Sequence, residues 1–213
     1  NESYSGNSIN HGYTNIVFPT ERTDALEIRF YDDYRFRSLW SNAFNYLSDA
    51  LSAVVNGYTY TQPTNPFNFQ RGNPTGVKSK IIGTSDYIRK AFYYDDDNQV
   101  CQLIQDVYVN GSIAGTERNS SLYDFTGHLL KSKITHRPGV PEQRVFSKRF
   151  DYDPAGRLIN TWLQLDNRPE ILLRQNTWNE LDQLVDVKLH STDNGVTFRQ
   201  SVDYRYNIRG WIK

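Results

Sequence analysis

The chain has 213 residues, with 24 Lys+Arg against 24 Asp+Glu, 15 Tyr, 11 Phe, 4 Trp and one cysteine, Cys101. Charge this balanced, with no long block of either sign, leaves no electrostatic footprint for a general nucleic-acid or membrane-surface role, and one cysteine excludes an internal disulfide and a cysteine-rich zinc site. No run approaches the roughly 20 apolar residues of a membrane span, and the aromatic-rich apolar set suits pleated, half-buried surfaces better than helical cores.

The chain begins "NESYSG", holds no methionine and shows no signal peptide, so it is expected to be a piece of something longer, with any targeting segment outside it. Residues 1–20 have no clear period and are expected to be ordered only by packing on a sheet. Residues 24–37 alternate polar and apolar and contain Tyr31-Asp32. Trp40, Phe44, Leu47, Leu51 and Val54 then step by 4, 3, 4 and 3, one face of a helix, with Ser38 as a cap and Asn56-Gly57 as its end. The spacing predicts one amphipathic helix near 38–55, plugging an open sheet face or end. Residues 61–76, "TQPTNPFNFQRGNPTG", read as an exposed loop. From "VKSKIIGTSDYIRKAFYY" to the end the strand pattern returns.

That last stretch is periodic. "YDDDNQV" at 94, "YDFTGHL" at 123, "YDPAGRL" at 152, "WNELDQL" at 178 and "YNIRGWI" at 206 start 29, 29, 26 and 28 residues apart. The first position is a large aromatic: Tyr94, Tyr123, Tyr152, Trp178, Tyr206. The second is a carboxylate or its amide: Asp95, Asp124, Asp153, Asn179, Asn207. The fifth tolerates positive φ: Asn98, Gly127, Gly156, Asp182, Gly210. The seventh is aliphatic: Val100, Leu129, Leu158, Leu184, Ile212. Together they describe a three-residue hairpin loop. Asp or Asn bonds the backbone two residues on, Pro154 sits where a type I turn prefers proline, and a left-handed residue closes a bulge. The first and seventh residues then lie opposite each other. Tyr31-Asp32 makes at best a degenerate unit, because Arg35 and Arg37 fall at the fifth and seventh positions.

"FDYDPAGRL", with "SLYDFTGHLL", "NTWNELDQLV" and "VDYRYNIRGWI", resembles the YD repeats of Rhs-type proteins. The closing stretch "LHSTDNGVTFRQSVDYRYNIRGWI" is most similar to the Rhs-repeat, wall-associated proteins of Bacteroidetes. The resemblance covers 87–213 clearly; only "YDPAGRL" matches the short pattern in full. It implies a sheet that larger relatives coil into a hollow shell around a C-terminal effector or toxin, an extracellular or cell-surface setting, and, as an alternative, binding of surface carbohydrate.

No catalytic constellation emerges from the residues. His11, His128, His136 and His190 lack ligand spacing, and His128 occupies the sixth repeat position, where an outward strand residue is expected. Asp95, Asp96 and Asp97 lack the alternation and distal Glu of a calcium loop, and no phosphate loop, nucleophile elbow or dinucleotide fingerprint appears. Asp153-Pro154 lies in a mid-array turn, with Arg157 where a self-cleaving Asp-Pro-x-Gly-Leu stretch has leucine. Trp162, Trp178, Trp211, Tyr58 and Tyr60 are candidates for stacking on sugar rings, although Trp178 and Trp162 read more simply as strand and repeat residues.

The expectation is therefore a mainly β protein of antiparallel hairpin repeats in one curved sheet, with one helix. It has an N-terminal region at 1–86 and a repeat array at 87–213. It is expected to be non-enzymatic, with no catalytic, cofactor or metal residues and no cofactor. Its partners would be other segments of the same long polypeptide and surface carbohydrate, with neither nucleic acid nor membrane insertion.

Overall fold

The structure, a computed structural model, describes residues 4–6, 11, 12, 14, 25–68, 70–138 and 143–213. Most of residues 1–20, with the expectation attached to them, lie outside the described residues. Among the described residues thirteen strands form: β1 (Glu27–Asp32), β2 (Ser52–Val55), β3 (Tyr58–Thr61), β4 (Gln70–Lys80), β5 (Tyr87–Tyr94), β6 (Val100–Val109), β7 (Ser112–Tyr123), β8 (Leu129–Pro138), β9 (Arg144–Tyr152), β10 (Leu158–Leu165), β11 (Ile171–Trp178), β12 (Leu184–Ser191) and β13 (Gln200–Asp203).

Eleven of them form an open, curved antiparallel sheet in the order β1-β4-β5-β6-β7-β8-β9-β10-β11-β12-β13. From β4 onward each strand pairs with its neighbour in sequence, so the sheet is a meander whose stability is built from nearest-neighbour contacts. Both edges are short. β1 has six residues and two register shifts, and β13 has four residues, features that blunt an edge against pairing with other chains.

Residues 33–50 lie across one face of the first strands and close the core there. Phe36 and Phe44 are buried with Phe30, Ala91, Tyr93, Cys101 and Ile104. Aromatic contacts run through the cap: Phe36 stacks on Phe30 at 4.6 Å, Trp40 lies 4.5 Å from Phe36 and 5.0 Å from Phe44, and Tyr34 stacks on Tyr93 at 4.8 Å. Gly76 on β4 is what lets Phe36 down, since a Cβ there would stand 2.5 Å from Phe36 Cζ.

Polar latches hold the rest of the segment. The Gln102 amide donates to Leu47 O at 2.7 Å and accepts from Leu47 N at 3.1 Å. The Asp49 carboxylate accepts from Arg118 Nε at 3.1 Å, Ser120 Oγ at 2.6 Å and Lys133 Nζ at 2.8 Å. It thereby ties the cap to β7 and β8.

The helix expected over 38–55 does not form. Two 3₁₀ turns, Arg35–Leu39 and Asn42–Phe44, lead into extended chain, and 52–55 is the first strand of the hairpin β2–β3. Ser38 caps nothing; its hydroxyl donates to Arg35 O at 3.0 Å. The stretch is rich in Ser, Asn and Asp, whose side chains bond nearby backbone and compete with helix, and it ends in β-branched Val54-Val55. Of the five residues on the supposed helical face, Phe44 is buried while Leu47 and Val54 are exposed. Asn56 and Gly57, at φ 51° and 83°, form the two-residue hairpin turn rather than a helix end.

Two further readings are corrected. Of the loop expected over 61–76, the part from 70 is strand β4, with Thr75 and Gly76 buried and Pro74 at a register shift, where a strand tolerates the missing N–H. Tyr31-Asp32 does not open a hairpin of the repeat type. Tyr31 pairs with Pro74, and Asp32, at φ 69°, accepts from Gly72 N at 2.5 Å.

Candidate functional site

The five repeat turns line up along one end of the sheet. In each, the second residue's N–H donates to the sixth residue's carbonyl: Asp95 to Gln99, Asp124 to His128, Asp153 to Arg157, Asn179 to Gln183 and Asn207 to Trp211, at 2.9–3.0 Å. The fifth residue's N–H returns to the second residue's carbonyl at 2.9–3.2 Å. The second side chain closes the turn from inside. Its Oδ1 accepts from the sixth N–H at 2.7 Å in Asp95, 2.9 Å in Asp124, Asp153 and Asn179, and 3.0 Å in Asn207. An amide oxygen does this as well as a carboxylate, which is why Asn replaces Asp in the last two copies. The fifth residues all have positive φ: Asn98 65°, Gly127 90°, Gly156 81°, Asp182 57° and Gly210 78°. Tyr94 pairs with Val100, Tyr123 with Leu129, Tyr152 with Leu158, Trp178 with Leu184 and Tyr206 with Ile212.

Three features of this row go beyond the sequence pattern. Three of the five first-position aromatics donate a hydrogen bond to the preceding unit. Tyr152 Oη donates to Leu129 O at 3.1 Å, Trp178 Nε1 to Leu158 O at 3.0 Å and Tyr206 Oη to Leu184 O at 2.8 Å, each acceptor being the previous unit's seventh residue. Tyr94 Oη makes the matching bond to Pro74 O at 2.7 Å. None of the chain's 11 Phe, which have no donor, stands at this position, and at 178 the indole N–H of tryptophan replaces the phenol.

Next, the sixth side chain of each unit lies against the fifth residue of the following one. Arg157 Nη1 donates to Asp182 Oδ1 at 2.7 Å. Gln99, His128 and Gln183 stand 3.7, 3.1 and 3.4 Å from where a Cβ would be on Gly127, Gly156 and Gly210. His128 also stacks on Tyr152, ring centroids 4.7 Å apart, so it is a contact between units rather than an outward strand residue.

Finally, the pairing skips one residue after each seventh position, at Cys101, Leu130, Ile159 and Val185. These bulges add local twist to every unit. Their sequence signal is two adjacent apolar residues where alternation would place one.

The hydroxyl link has a control built into the chain, because Tyr123 Oη makes no hydrogen bond among the described residues. Tyr152→Phe is expected to lower stability by about 0.5–1.5 kcal/mol, the net worth of one such bond, while Tyr123→Phe changes it by less than half that. Urea denaturation of the two variants measures the difference; equal losses would remove the hydroxyl link as a stabilising feature.

Electrostatics follow the same geometry. The Arg157 hydrogen bond holds the Asp153 carboxyl below the usual range, whereas burial, reinforced by Asp96 and Asp97, lifts Asp95. Burial pushes the Cys101 thiol up to about 12, so at neutral pH it carries essentially no thiolate. The histidines do not converge: His11 meets Lys78, His136 meets Glu117, and His190 sits apart at φ 57°. No group of three or more His, Cys, Asp or Glu able to hold a metal occurs among the described residues.

Of the stacking candidates, Trp162 donates Nε1–H to Asp151 at 2.7 Å and has the Arg149 guanidinium 4.6 Å above its ring, while Trp178 lies within the row. Trp211 and Tyr58 are exposed. Tyr58 and Tyr60 overhang a groove of about 740 Å³ between the β2–β3 hairpin and the second and third turns, where Phe125, His128 and Tyr152 also face it.

No family model matches the chain, and no curated protein matches it. Among solved structures it is similar to a chain in the crystal structure of TcdB2-TccC3-Cdc42, at 13% sequence identity and a TM-score of 0.38. The match covers 77% of this chain and 11% of that one. A likeness this loose defines neither family nor function.

Proposed function

We propose that the chain is a structural, non-enzymatic segment of a longer Rhs-type YD-repeat protein of the cell surface or exterior. Its curved sheet would form part of a wall that encloses or displays a C-terminal effector or toxin. The observation that carries this reading is the row of five matching turns, the last three of them each joined to the unit before by an aromatic-to-carbonyl bond. That arrangement builds a continuous surface and gathers no reactive groups. Extending such a sheet needs no new contact type, since the sixth side chain of one unit meets the fifth residue of the next at all four junctions and the aromatic-to-carbonyl bond recurs at three. The repeat resemblance and the open sheet support a wall; the buried, protonated Cys101 and the scattered histidines count against nucleophilic chemistry.

Enclosure is tested by protease protection in the full-length polypeptide. The segment following the array should resist added protease while the sheet is folded and become cleavable at the denaturant concentration that unfolds it. Cleavage at the unfolded rate under native conditions would defeat enclosure.

The groove beneath Tyr58 and Tyr60 favours a second reading, a carbohydrate-binding surface. Aromatic side chains there stand beside the Asp124, Asp151 and Asp153 carboxylates, which can accept from sugar hydroxyls. A glycan array on which wild type binds and Tyr58→Ala does not would support it.

A further inference from the structure

Arg37 stands apart from the chain's other half-buried guanidiniums. Arg89, Arg118, Arg149 and Arg157 each hold a carboxylate, at 2.8, 3.1, 2.5 and 2.6 Å, and Arg174 donates to Asn176 Oδ1 at 2.6 Å. Arg37, in a chain whose formal charges balance, meets no carboxylate among the described residues. It is held by aromatic and backbone contacts instead. Its guanidinium carbon lies 5.1 Å from the Tyr34 ring centroid and 5.9 Å from that of Tyr93, Nε donates to Tyr34 O at 3.2 Å, and Nη1 reaches Tyr93 Oη at 3.5 Å. The guanidinium thus lies beside the stacked Tyr34–Tyr93 pair, and three of its five N–H groups have no partner among the described residues.

Arg37 lines an open groove of about 520 Å³. Tyr4, Tyr34, Arg35, Ser38, Asn42 and Asn45 share it with Arg37, and among the described residues no Asp or Glu lines it. Asp33 lies outside the lining and takes Arg35 Nε at 2.8 Å. Among the described residues the lining therefore offers the Arg37 charge, which no carboxylate meets, the Asp33-paired Arg35, two side-chain amides and hydroxyl groups, with no carboxylate.

A planar guanidinium with N–H groups left over suits the two oxygens of a carboxylate, which it can meet through two parallel bonds. The side-chain amides alongside can donate to and accept from hydroxyls of the same ligand. We propose that this groove is a binding site for a small carboxylate-bearing ligand, with Arg37 as the primary contact and Arg35, Asn42 and Asn45 at its rim. The site lies on the cap, away from the repeat turns, and is independent of the wall reading.

Titration with glucuronate, and with glucose as its uncharged counterpart, tests it by following the arginine Nε–H signals in NMR spectra. Glucuronate should give a saturable shift at Arg37, and glucose none. Arg37→Gln should abolish the response but also removes packing, so the decisive variant is Asn42→Asp. Asn42 is exposed and bonds neither Arg37 nor its rings, while the added carboxylate, by repelling the ligand or by pairing with Arg37 itself, should weaken glucuronate binding by about tenfold or more. A non-saturating shift, an equal response to glucose, or unchanged affinity in Asn42→Asp overturns the proposal.

Discussion

Asp49→Asn should destabilise the protein by about 3–5 kcal/mol, the cost of removing one partner from a buried charge pair. The Asp49 side chain is 4% exposed and serves two cations at once, Arg118 from β7 and Lys133 from β8. An amide of the same shape keeps the packing and one acceptor oxygen, but leaves Arg118 and Lys133 facing a neutral group and turns an N–H₂ toward one of them. The pH dependence carries the diagnostic. Burial raises the Asp49 pKa, but hydrogen bonds from Arg118, Lys133 and Ser120 outweigh it, and the carboxyl ends below its ordinary value. A group depressed in the folded state contributes stability that is fully present above its unfolded pKa and is lost as pH falls through the folded one. The gap between wild type and Asp49→Asn should therefore be widest near neutrality and should narrow once the pH drops below the usual carboxylate range. Urea midpoints measured from neutral to acid pH check this. A gap that stays constant would mean that the carboxylate's charge is not what latches the cap.

The sheet and its turn row were legible in the sequence because each turn position has a narrow chemical requirement. Asp153 and Asn207 are there for an oxygen that accepts two residues and four residues on, and Gly156 and Asn98 for a positive φ. Those requirements are local, so they survive without knowledge of the neighbours. The reason for Tyr rather than Phe at position 152 was not legible, because its acceptor, Leu129 O, belongs to another unit. The same holds for His128, whose partner Tyr152 lies one unit on. The helix misreading over 38–55 has a different origin. Spacings of four and three mark residues that share a helical face, but Trp40 and Phe44 reach one core from successive 3₁₀ turns, which also bring residues three to four apart together. A sharper local signal was present in the same stretch: "VVNGYTYT" places Asn-Gly between strand-forming runs, and this marks a hairpin more strongly than the apolar spacing marks a helix. The groove at Arg37 could not be read from sequence at all, because the lack of an acid beside one guanidinium is a property of the packed cap.

Phe44→Ala is expected to cost about 3–5 kcal/mol, the range for truncating a buried aromatic ring, and the location of the damage is as informative as its size. Phe44 has no exposed surface, meets Trp40 at 5.0 Å and lies under the Arg89 guanidinium, whose carbon is 4.8 Å from its ring; its carbonyl also accepts the Tyr93 hydroxyl. Truncation leaves a void between the cap and β5–β6 that the sheet cannot close without moving Tyr93, which is itself fully buried. The meander passes stability from each strand only to the next, so the loss should be graded along the sheet. Amide exchange should accelerate most in β4–β7, beneath the cap, and progressively less toward β11–β12, where Leu172 and Val187 form separate buried positions. Exchange measured strand by strand on Phe44→Ala resolves this. Uniform acceleration from β4 to β12 would mean that the sheet unfolds as one cooperative unit, and the cap would then be the nucleus of the whole array rather than a local closure. If β4–β7 stay as protected as in wild type, the core does not lie under this segment.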